Sequence, residues 1–248
     1  MILTELVQAK LEKRYKRFLA DVRLKDGTVV TAHCANPGAM TGLSDPGMTV
    51  YLNHCPHPSR KLAWSLKLVK TATSLVVIDT MLANRLFKEA FSLGTLTEFS
   101  TFTQIESEQV FGDSRFDFRL SNEAADSAHC YVEVKSTTLW QEGLALFPDS
   151  RTERGRKHLS TLSSAIAGGY GAAQFYLIGR SDAKCFRPAD AIDPLYGQAL
   201  RAAERCGVKV MARALQFDHV DFDAEKIAAG LNFDLHLTVG GVVPIELN

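Results

Sequence analysis

The chain has few cysteines, and they form no recognisable motif. There are five, an odd number, with no Cys-x-x-Cys sequence, and this usage predicts a reducing compartment such as the cytoplasm. The N-terminus lacks the basic segment that precedes the apolar part of a signal peptide. The longest run without a charged residue, Leu159–Gly179, is interrupted by Ser, Thr and Gly, which predicts a helix, a turn and a buried strand. We therefore expect a cytoplasmic protein with no membrane partner.

The chain also lacks an excess of charge of either sign, because its formal net charge is zero. The zero conceals an uneven distribution. Residues 1–81 contain eleven Lys and Arg against six Asp and Glu, whereas residues 82–248 contain seventeen against twenty-two. A basic first third suits a polyanionic partner, and an acidic remainder suits a metal site. The alternative is that the two parts simply balance one another.

The first 80 residues have little helical periodicity and about five short strand patterns, separated by turn sequences such as Asn-Pro-Gly and Asp-Pro-Gly. Five strands in this length predict a small β-barrel of the OB type, whose open face commonly binds nucleic acid. The predicted strands are Tyr15–Leu24, Thr28–Cys34, Met48–Cys55, Lys61–Lys70 and Ser74–Asp79.

Three basic clusters are candidates for contacts with a nucleic-acid backbone. In the first, cations alternate with aromatic rings, so that phosphates and bases could both be bound. The third begins a predicted helix, where cations are unfavourable unless an anion is near. Each cluster could instead be a solvated surface. The clusters are Arg14, Tyr15, Lys16 and Arg17, followed by Phe18; Arg60 and Lys61; and Arg154, Lys157 and His158.

Two alternating segments, at 114–118 and 131–136, predict a β-hairpin around a polar loop at Ser121–His129. In the first segment the two-residue period of a strand places Phe116 and Phe118 on one face and the charged residues on the other. Antiparallel pairing would then gather the charged residues of both strands on a shared face.

That shared face would contain Asp117, Glu133 and Lys135. Carboxylate oxygens bind hard divalent cations, and an adjacent lysine can orient or deprotonate a water for attack on a phosphodiester. Glu89, on a predicted helix over Met81–Leu93, is a candidate third acidic ligand. A Glu-x-Lys triplet alone is common by chance, and a solvated strand face with a cross-strand ion pair is the alternative.

Strand and helix patterns alternate through the rest of the chain. Helices are expected after Thr152 and over Pro194–Cys206, and strands over Gln174–Ile178 and Val208–Leu215, while Leu235–Val239 could add an edge strand. The predicted fold class is α/β (α+β). It comprises a five-stranded OB-type barrel over residues 1–80 and a mixed-sheet domain with flanking helices over residues 81–248.

Eight ordered sequence blocks resemble the sugar fermentation stimulation protein family along nearly the whole chain. The resemblance implies an OB barrel joined to a PD-(D/E)xK restriction-endonuclease-like domain, in DNA-binding proteins linked to maltose metabolism. The blocks are Arg-Tyr-Lys-Arg-Phe at 14–18, His-Cys-x-Asn-Pro-Gly-x-Met at 33–40, Arg-Lys-Leu at 60–62, Ser-Arg-Phe-Asp-Phe at 114–118, Glu-Val-Lys-Ser at 133–136, Phe-Pro-Asp at 147–149, Thr-x-Arg-Gly-x-Lys-His-Leu at 152–159 and Ile-Asp-Pro-x-Tyr at 192–196.

Carried onto this chain, the nuclease pattern implies that Asp117 and Glu133 are metal ligands for Mg²⁺ or Mn²⁺, that Lys135 is the catalytic lysine and that Glu89 is the helical acid. The chain departs from the proline-aspartate signature by having Phe116 before Asp117.

The sequence thus predicts a DNA-binding protein with a metal-dependent phosphodiesterase site. The alternative is a DNA-binding regulator without catalysis. RNA remains an open partner, and the sequence specifies neither strandedness nor oligomeric state. A sugar-modifying enzyme has no support from a phosphate-binding loop, a dinucleotide fingerprint or an acyl-transfer triad.

Overall fold

The chain passes more than once between two structural units. The computed structural model describes residues 1–122, 125–218 and 232–247, without the side chains of 125–128. Met1–Leu82, Gly179–Asp182 and Leu215–Thr238 form the first unit, and the other segments form the second. The main segment of the first unit ends near residue 80, but two later segments return to it. The division into domains at residue 80 stays a prediction.

Strand pairing in the first unit runs in a ring. β1 pairs antiparallel with both β2 and β4, β2 pairs with β3, β3 pairs parallel with β5, and β5 returns to β4. This five-stranded ring is the predicted OB-type arrangement, and its inner side is lined by buried apolar residues such as Val22, Val50 and Leu66. The strands are β1 (Ile2–Tyr15), β2 (Leu19–Leu24), β3 (Val29–Cys34), β4 (Thr49–His54), β5 (Trp64–Lys70) and β6 (Leu75–Val77).

The predicted strand over Tyr15–Leu24 is β2, but it begins only at Leu19, because the chain turns at Lys16 and Arg17, both with positive φ angles. The ring instead begins with β1, which the pattern analysis missed. β1 contains two register shifts, between Leu3 and Leu6 and between Leu11 and Lys13. Such bulges interrupt the two-residue alternation from which a strand is recognised. The predicted last strand of the barrel is β6, which lies outside the ring and pairs antiparallel with β5.

The second unit is built on a mixed sheet. β7, β8 and β9 pair antiparallel in sequence, β12 pairs parallel with β9, and residues 209–214 of β14 pair parallel with β12. A smaller sheet joins β10, β11 and β13. The elements that lie wholly or partly in this unit are α1 (Met81–Ser92), β7 (Gln104–Phe111), β8 (Ser114–Asn122), β9 (Ala125–Thr137), β10 (Leu139–Gln141), β11 (Leu144–Phe147), α2 (Glu153–Ala167), β12 (Gly171–Ile178), β13 (Cys185–Pro188), α3 (Pro194–Arg205), β14 (Lys209–Asp218) and β15 (Phe233–Val242).

Two details of the predicted hairpin are wrong. β9 begins at Ala125 and pairs with β8 there, so most of the predicted loop over Ser121–His129 is strand; residues 123–124 lie outside the described residues. Phe116 and Phe118 also do not share a face. Phe116 packs in the cluster formed with α2 and α3, whereas Phe118 stacks on Phe87 of α1 at 5.1 Å between ring centroids.

The alternation of β8 changes at Asp117 for a local reason. The β8–β9 ladder ends with Phe118 opposite Val132. The side chain of the preceding residue of β8, Asp117, accepts the backbone N–H of Val134. A side chain thus takes a ladder position that a backbone carbonyl would normally occupy.

α2 and α3 begin where the sequence predicts them, after Thr152 and at Pro194. Thr152 caps α2 by accepting the N–H of Gly155, and Asp193 caps α3 by accepting the N–H of Tyr196. β15 is not the edge strand that was expected, because it pairs with β1 on one side and β14 on the other. Within the described residues, no helix is both long enough and apolar enough to cross a membrane.

Candidate functional site

Asp117 lies at the point where the β8–β9 ladder ends. Its Oδ2 accepts the N–H of Val134 at 2.8 Å, and its Oδ1 accepts from Asn84 Nδ2 of α1 at 2.7 Å. Burial, and secondly the charge of Glu133, raise the pKa of Asp117 to about 6. Two donors therefore fix the orientation of a carboxylate that its surroundings disfavour as an anion.

Glu133 is buried on β9 beside two basic side chains. Lys135 Nζ donates to Glu133 Oε1 at 2.5 Å, and His158 Nδ1 of α2 lies 2.5 Å from the same oxygen, at ion-pair distance without aligned hydrogen-bond geometry. Burial by itself raises the pKa of Glu133, but His158 and Lys135 outweigh it and hold the pKa below its usual value. Glu133 is therefore anionic at neutral pH, and Lys135 balances its charge.

The second carboxylate oxygen of Glu133, Oε2, lacks the contacts that Oε1 makes. Oε2 is buried and has no hydrogen-bond partner in the part of the chain that the structure describes. An unpartnered buried carboxylate oxygen is costly. Beside a second carboxylate, it is the kind of donor that a divalent cation or an ordered water would satisfy. The donor set of Asp117 and Glu133 therefore fits a divalent cation.

Gln174 of β12 supports Glu133 from the adjacent strand. The two residues are partners in the parallel register, and Gln174 Nε2 donates to the Glu133 backbone carbonyl at 3.1 Å. The Gln174 side chain is fully buried, and its Oε1 has no partner among the described residues. Sequence reasoning missed both Gln174 and Asn84. The available signal for Gln174 was a lone amide inside the apolar run Gly171–Ile178.

Glu89 does not join this pair in the structure. Among the described residues, no three His, Cys, Asp or Glu side chains converge closely enough to hold a metal ion. The α1 residue that contacts Asp117 is Asn84, and five residues of helix turn Glu89 by roughly 140° from Asn84. The role of Glu89 as a third ligand stays a prediction, as do the metal-binding and catalytic roles of the other residues.

The basic cluster at the start of α2 divides into exposed and buried members. Arg154 and Lys157 are exposed, but His158 is buried with 4% of its surface accessible. It therefore cannot lie on a solvent-facing cationic surface as expected. It lies on the same helical face as the buried Leu159 and Leu162, next to Glu133.

Asp193 ties the starts of α2 and α3 together. Its carboxylate accepts the N–H of Thr152 and of Tyr196 and forms two bonds with Arg156 Nη1, at 3.0 and 2.9 Å. The sequence blocks at 152–159 and 192–196 thus meet at one buried side chain. The contact fixes the helix start that carries Arg154 and Lys157.

Arg14 in the first unit is engaged by the protein itself. Its guanidinium donates to four backbone carbonyls, and three of them lie in the loop after β3. Few donors remain for a phosphate, so the structure assigns Arg14 to holding this loop. Tyr15 is likewise engaged, because its hydroxyl donates to Asp21 at 3.0 Å. The four carbonyls belong to Arg17, Asn36, Gly38 and Ala39.

The neighbouring cations are more available. Lys16 and Arg17 are exposed in the turn after β1, and Phe18, 44% exposed, stacks on His33 with ring planes 19° apart. Arg60 donates to Ser65 Oγ at 2.6 Å.

Ser65 is the β5 partner of His33 in the strand register. The exposed Lys61 follows Arg60 in the chain. The first unit thus presents the stack of Phe18 on His33, with the exposed Lys16 and Arg17 directly before Phe18 in the chain.

Comparison with known proteins agrees with this architecture. Residues 13–78 match the model of the SfsA N-terminal OB domain, and residues 81–221 match the sugar fermentation stimulation protein RE domain. The structure of Pyrococcus furiosus SfsA in complex with Ca²⁺ superposes with a TM-score of 0.84 at 23% identity, covering 99% of this chain and 98% of that one. The α+β fold with an N-terminal OB domain is thereby confirmed.

Curated relatives are similar over most of their length. The sugar fermentation stimulation protein homolog of Thioalkalivibrio sulfidiphilus is 46% identical over 210 residues, 84% of this chain and 87% of the relative. The homolog of Maricaulis maris is 44% identical over 216 residues, 86% of this chain and 91% of the relative. With both domain models matched in order, the chain belongs to the sugar fermentation stimulation protein (SfsA) family.

Proposed function

We propose that the protein is a cytoplasmic DNA-binding phosphodiesterase that depends on a divalent cation, Mg²⁺ or Mn²⁺. The observation that carries the proposal is the pair of carboxylates on adjacent strands, half-buried Asp117 and buried Glu133, with a lysine on one of these strands and an oxygen of Glu133 unpartnered within the described residues. The Ca²⁺ complex of Pyrococcus furiosus SfsA supports a divalent cation in this fold. The five cysteines are all free, which supports a reducing compartment.

Asp117 and Glu133 would hold the cation, which when bound supplies charge stabilisation to the scissile phosphate and a more acidic water. Lys135, whose Nζ lies 2.5 Å from Glu133 Oε1, would position the attacking water. Asn84 and the Val134 N–H orient the Asp117 carboxylate, so its geometry is set before substrate arrives.

Two surfaces would bind the DNA. The exposed Arg154 and Lys157 lie at a helix start, where the dipole and the free N–H groups favour a phosphate. In the first unit, Lys16 and Arg17 adjoin the stack of Phe18 on His33, which suits a backbone with accessible bases. RNA has the same charged phosphates and similar aromatic base faces, so both polymers belong in the test.

A non-catalytic DNA-binding regulator is the second candidate. The charge of Glu133 is already balanced by Lys135, so the site is stable as a structural ion pair. The family name is the support for a link with sugar fermentation genes.

The deciding experiment is cleavage of labelled single-stranded, duplex and structured DNA and RNA with Mg²⁺ or Mn²⁺, with binding followed in parallel. Asp117→Asn and Lys135→Met should abolish cutting and retain binding. Lys209→Met, at an exposed lysine on β14, is the matched control and should cut normally. Tight binding without cutting by the wild-type protein would overturn the phosphodiesterase and leave the regulator.

A further inference from the structure

His158 occupies a position that none of the nuclease roles uses. It lies in α2 with 5% of its side chain exposed, and its ring packs edge-on to Phe116 at 6.0 Å between ring centroids. A buried histidine on an apolar helix face is usually satisfied by one partner. His158 has charged side chains at both ring nitrogens, Arg154 and Glu133.

Arg154 fixes the tautomer of this ring. Its Nε–H donates to His158 Nε2 at 3.3 Å, and arginine has no acceptor to offer in return. His158 Nε2 must therefore carry a lone pair, which places the ring proton on Nδ1. A doubly protonated imidazolium could not accept this bond, because both of its nitrogens are donors.

Nδ1 is the ring nitrogen nearest to Glu133, and its N–H is not aligned for a hydrogen bond. Nδ1 lies 2.5 Å from Oε1, the same oxygen that accepts from Lys135 Nζ. Oε1 therefore has two basic neighbours, whereas Oε2 is buried without a partner among the described residues. Because both basic neighbours lie at Oε1, they hold the Glu133 carboxylate in one orientation, in which Oε2 is the oxygen available to a ligand.

We propose that His158 is a positioning residue, set by Arg154, that holds Glu133 Oε1 and thereby presents Oε2 to the divalent cation. This inference rests on the proposed function, because it takes Glu133 as a ligand. Arg154 also connects this carboxylate to the protein surface. It is exposed at the start of α2, so a phosphate bound to its remaining N–H groups is linked through His158 to the same carboxylate.

The first test is Mn²⁺ binding, followed by the EPR signal of free Mn²⁺ without nucleic acid. His158→Phe retains the ring packing on Phe116 but has no donor, and it should weaken Mn²⁺ binding by about 10- to 100-fold, as loss of a partner behind a ligand does. His158→Asn retains an N–H near the Nδ1 position and should stay within about threefold of the wild-type protein. Thermal melting checks that both variants are folded.

The second test needs no cation, and its main measurement is made on the wild-type protein. The ring ¹⁵N chemical shifts of His158 in the metal-free wild-type protein should show a protonated Nδ1 and an unprotonated Nε2. Arg154→Ala should populate the other tautomer, whereas Arg151→Ala, at an exposed arginine three residues earlier, should not.

The outcomes separate the two proposals. Failure of the wild-type protein to bind Mn²⁺ would overturn the proposed metal site, whatever the tautomer of His158. Mn²⁺ binding by wild type and His158→Phe with equal affinity, or a wild-type ring protonated on Nε2, would overturn the positioning role alone.

Discussion

The carboxylate of Asp117 accepts the backbone N–H of Val134 at 2.8 Å, in the gap where the β8–β9 ladder ends. This contact turns the chain of β8 and brings Asp117 beside Glu133, at an electrostatic cost. The pKa of about 6 shows that burial and the neighbouring anion oppose its charge. A carboxylate held at such a cost inside a sheet is common where a site is organised for a ligand and not for stability.

Asp117→Asn should therefore stabilise the metal-free protein at alkaline pH. The folded-state pKa, about 6, is raised above the usual value of 3.8, so ionisation destabilises the folded state as pH rises through this window and the penalty is complete above it. An uncharged amide avoids the penalty. If the Asn84 amide flips, the oxygen of the substituted side chain can still accept from Val134 while its NH₂ group donates to Asn84.

The expected gain in the free energy of unfolding is about 1–3 kcal/mol at pH 8 and nearly zero at pH 4, measured by urea denaturation in EDTA. Asp113→Asn, at an exposed position before β8, is the control and should show no pH-dependent difference. Equal stability of wild type and Asp117→Asn at pH 8 would contradict the conclusion that ionised Asp117 destabilises the folded state.

Alanine substitutions of Arg14, Lys16 and Arg17 should affect stability and DNA binding differently. Arg14→Ala removes a guanidinium that donates to four carbonyls, so we expect a loss of about 2 kcal/mol in the free energy of unfolding. Lys16→Ala and Arg17→Ala, at exposed positions, should change stability by less than about 0.5 kcal/mol.

For DNA binding we expect the opposite order of effects among the three variants. Lys16→Ala and Arg17→Ala should each weaken binding and lower the slope of log affinity against log salt by about one. Denaturation curves and salt titrations on the same three variants provide the comparison. A folded Arg14→Ala variant that loses salt-dependent affinity as Lys16→Ala does would show that Arg14 also contacts phosphate.

Sequence patterns were sufficient where the signal is local. The start of α2 after Thr152 and the start of α3 at Pro194 depend on a few adjacent residues, and both were predicted. β1 was missed because its two bulges break the alternation over which a strand is recognised.

The site was only partly predictable for a similar reason. The adjacency of Glu133 and Lys135 follows from the period of one strand. Asn84 and Gln174 reach the site from another helix and another strand, so no spacing within the hairpin reveals them. The burial of His158 was readable, since Leu159 and Leu162 define the apolar face of α2 on which it lies.

Asp193→Ala should uncouple the two helix starts. The carboxylate pairs with Arg156 and accepts two backbone N–H groups. Burial alone raises the pKa of Asp193, but the donors of Thr152, Tyr196 and Arg156 outweigh it and lower the pKa. We expect a loss of about 3 kcal/mol at pH 7, measured by denaturant unfolding.

The pH dependence gives a second check of Asp193. Because its folded-state pKa is lowered, its contribution is complete above the unfolded pKa and disappears as pH falls through the folded one. The difference between wild type and Asp193→Ala should therefore shrink in acid. Asp190→Ala, which loses a more exposed pair with Arg201, should cost less than about 1 kcal/mol.

Gly155→Ala should destabilise the protein even though alanine is the better helix former. A Cβ at this position would lie 2.8 Å from Thr152 Cγ2 and 3.0 Å from Tyr196 Cε2, so the capping residue of α2 and a buried ring of α3 would have to move. In an exposed helix interior the same change would gain about 1 kcal/mol. Here we expect a loss of about 1–3 kcal/mol, as for other overpacked sites.

Ser160→Ala, at an exposed position of the same helix, is the control and should leave stability unchanged or slightly raised. Thermal and urea unfolding of both variants measure the difference. A stabilised Gly155→Ala variant would mean that the α2 start can move away from Tyr196 at little cost. The placement of Arg154 and His158 would then need another explanation than the close approach of α2 to α3.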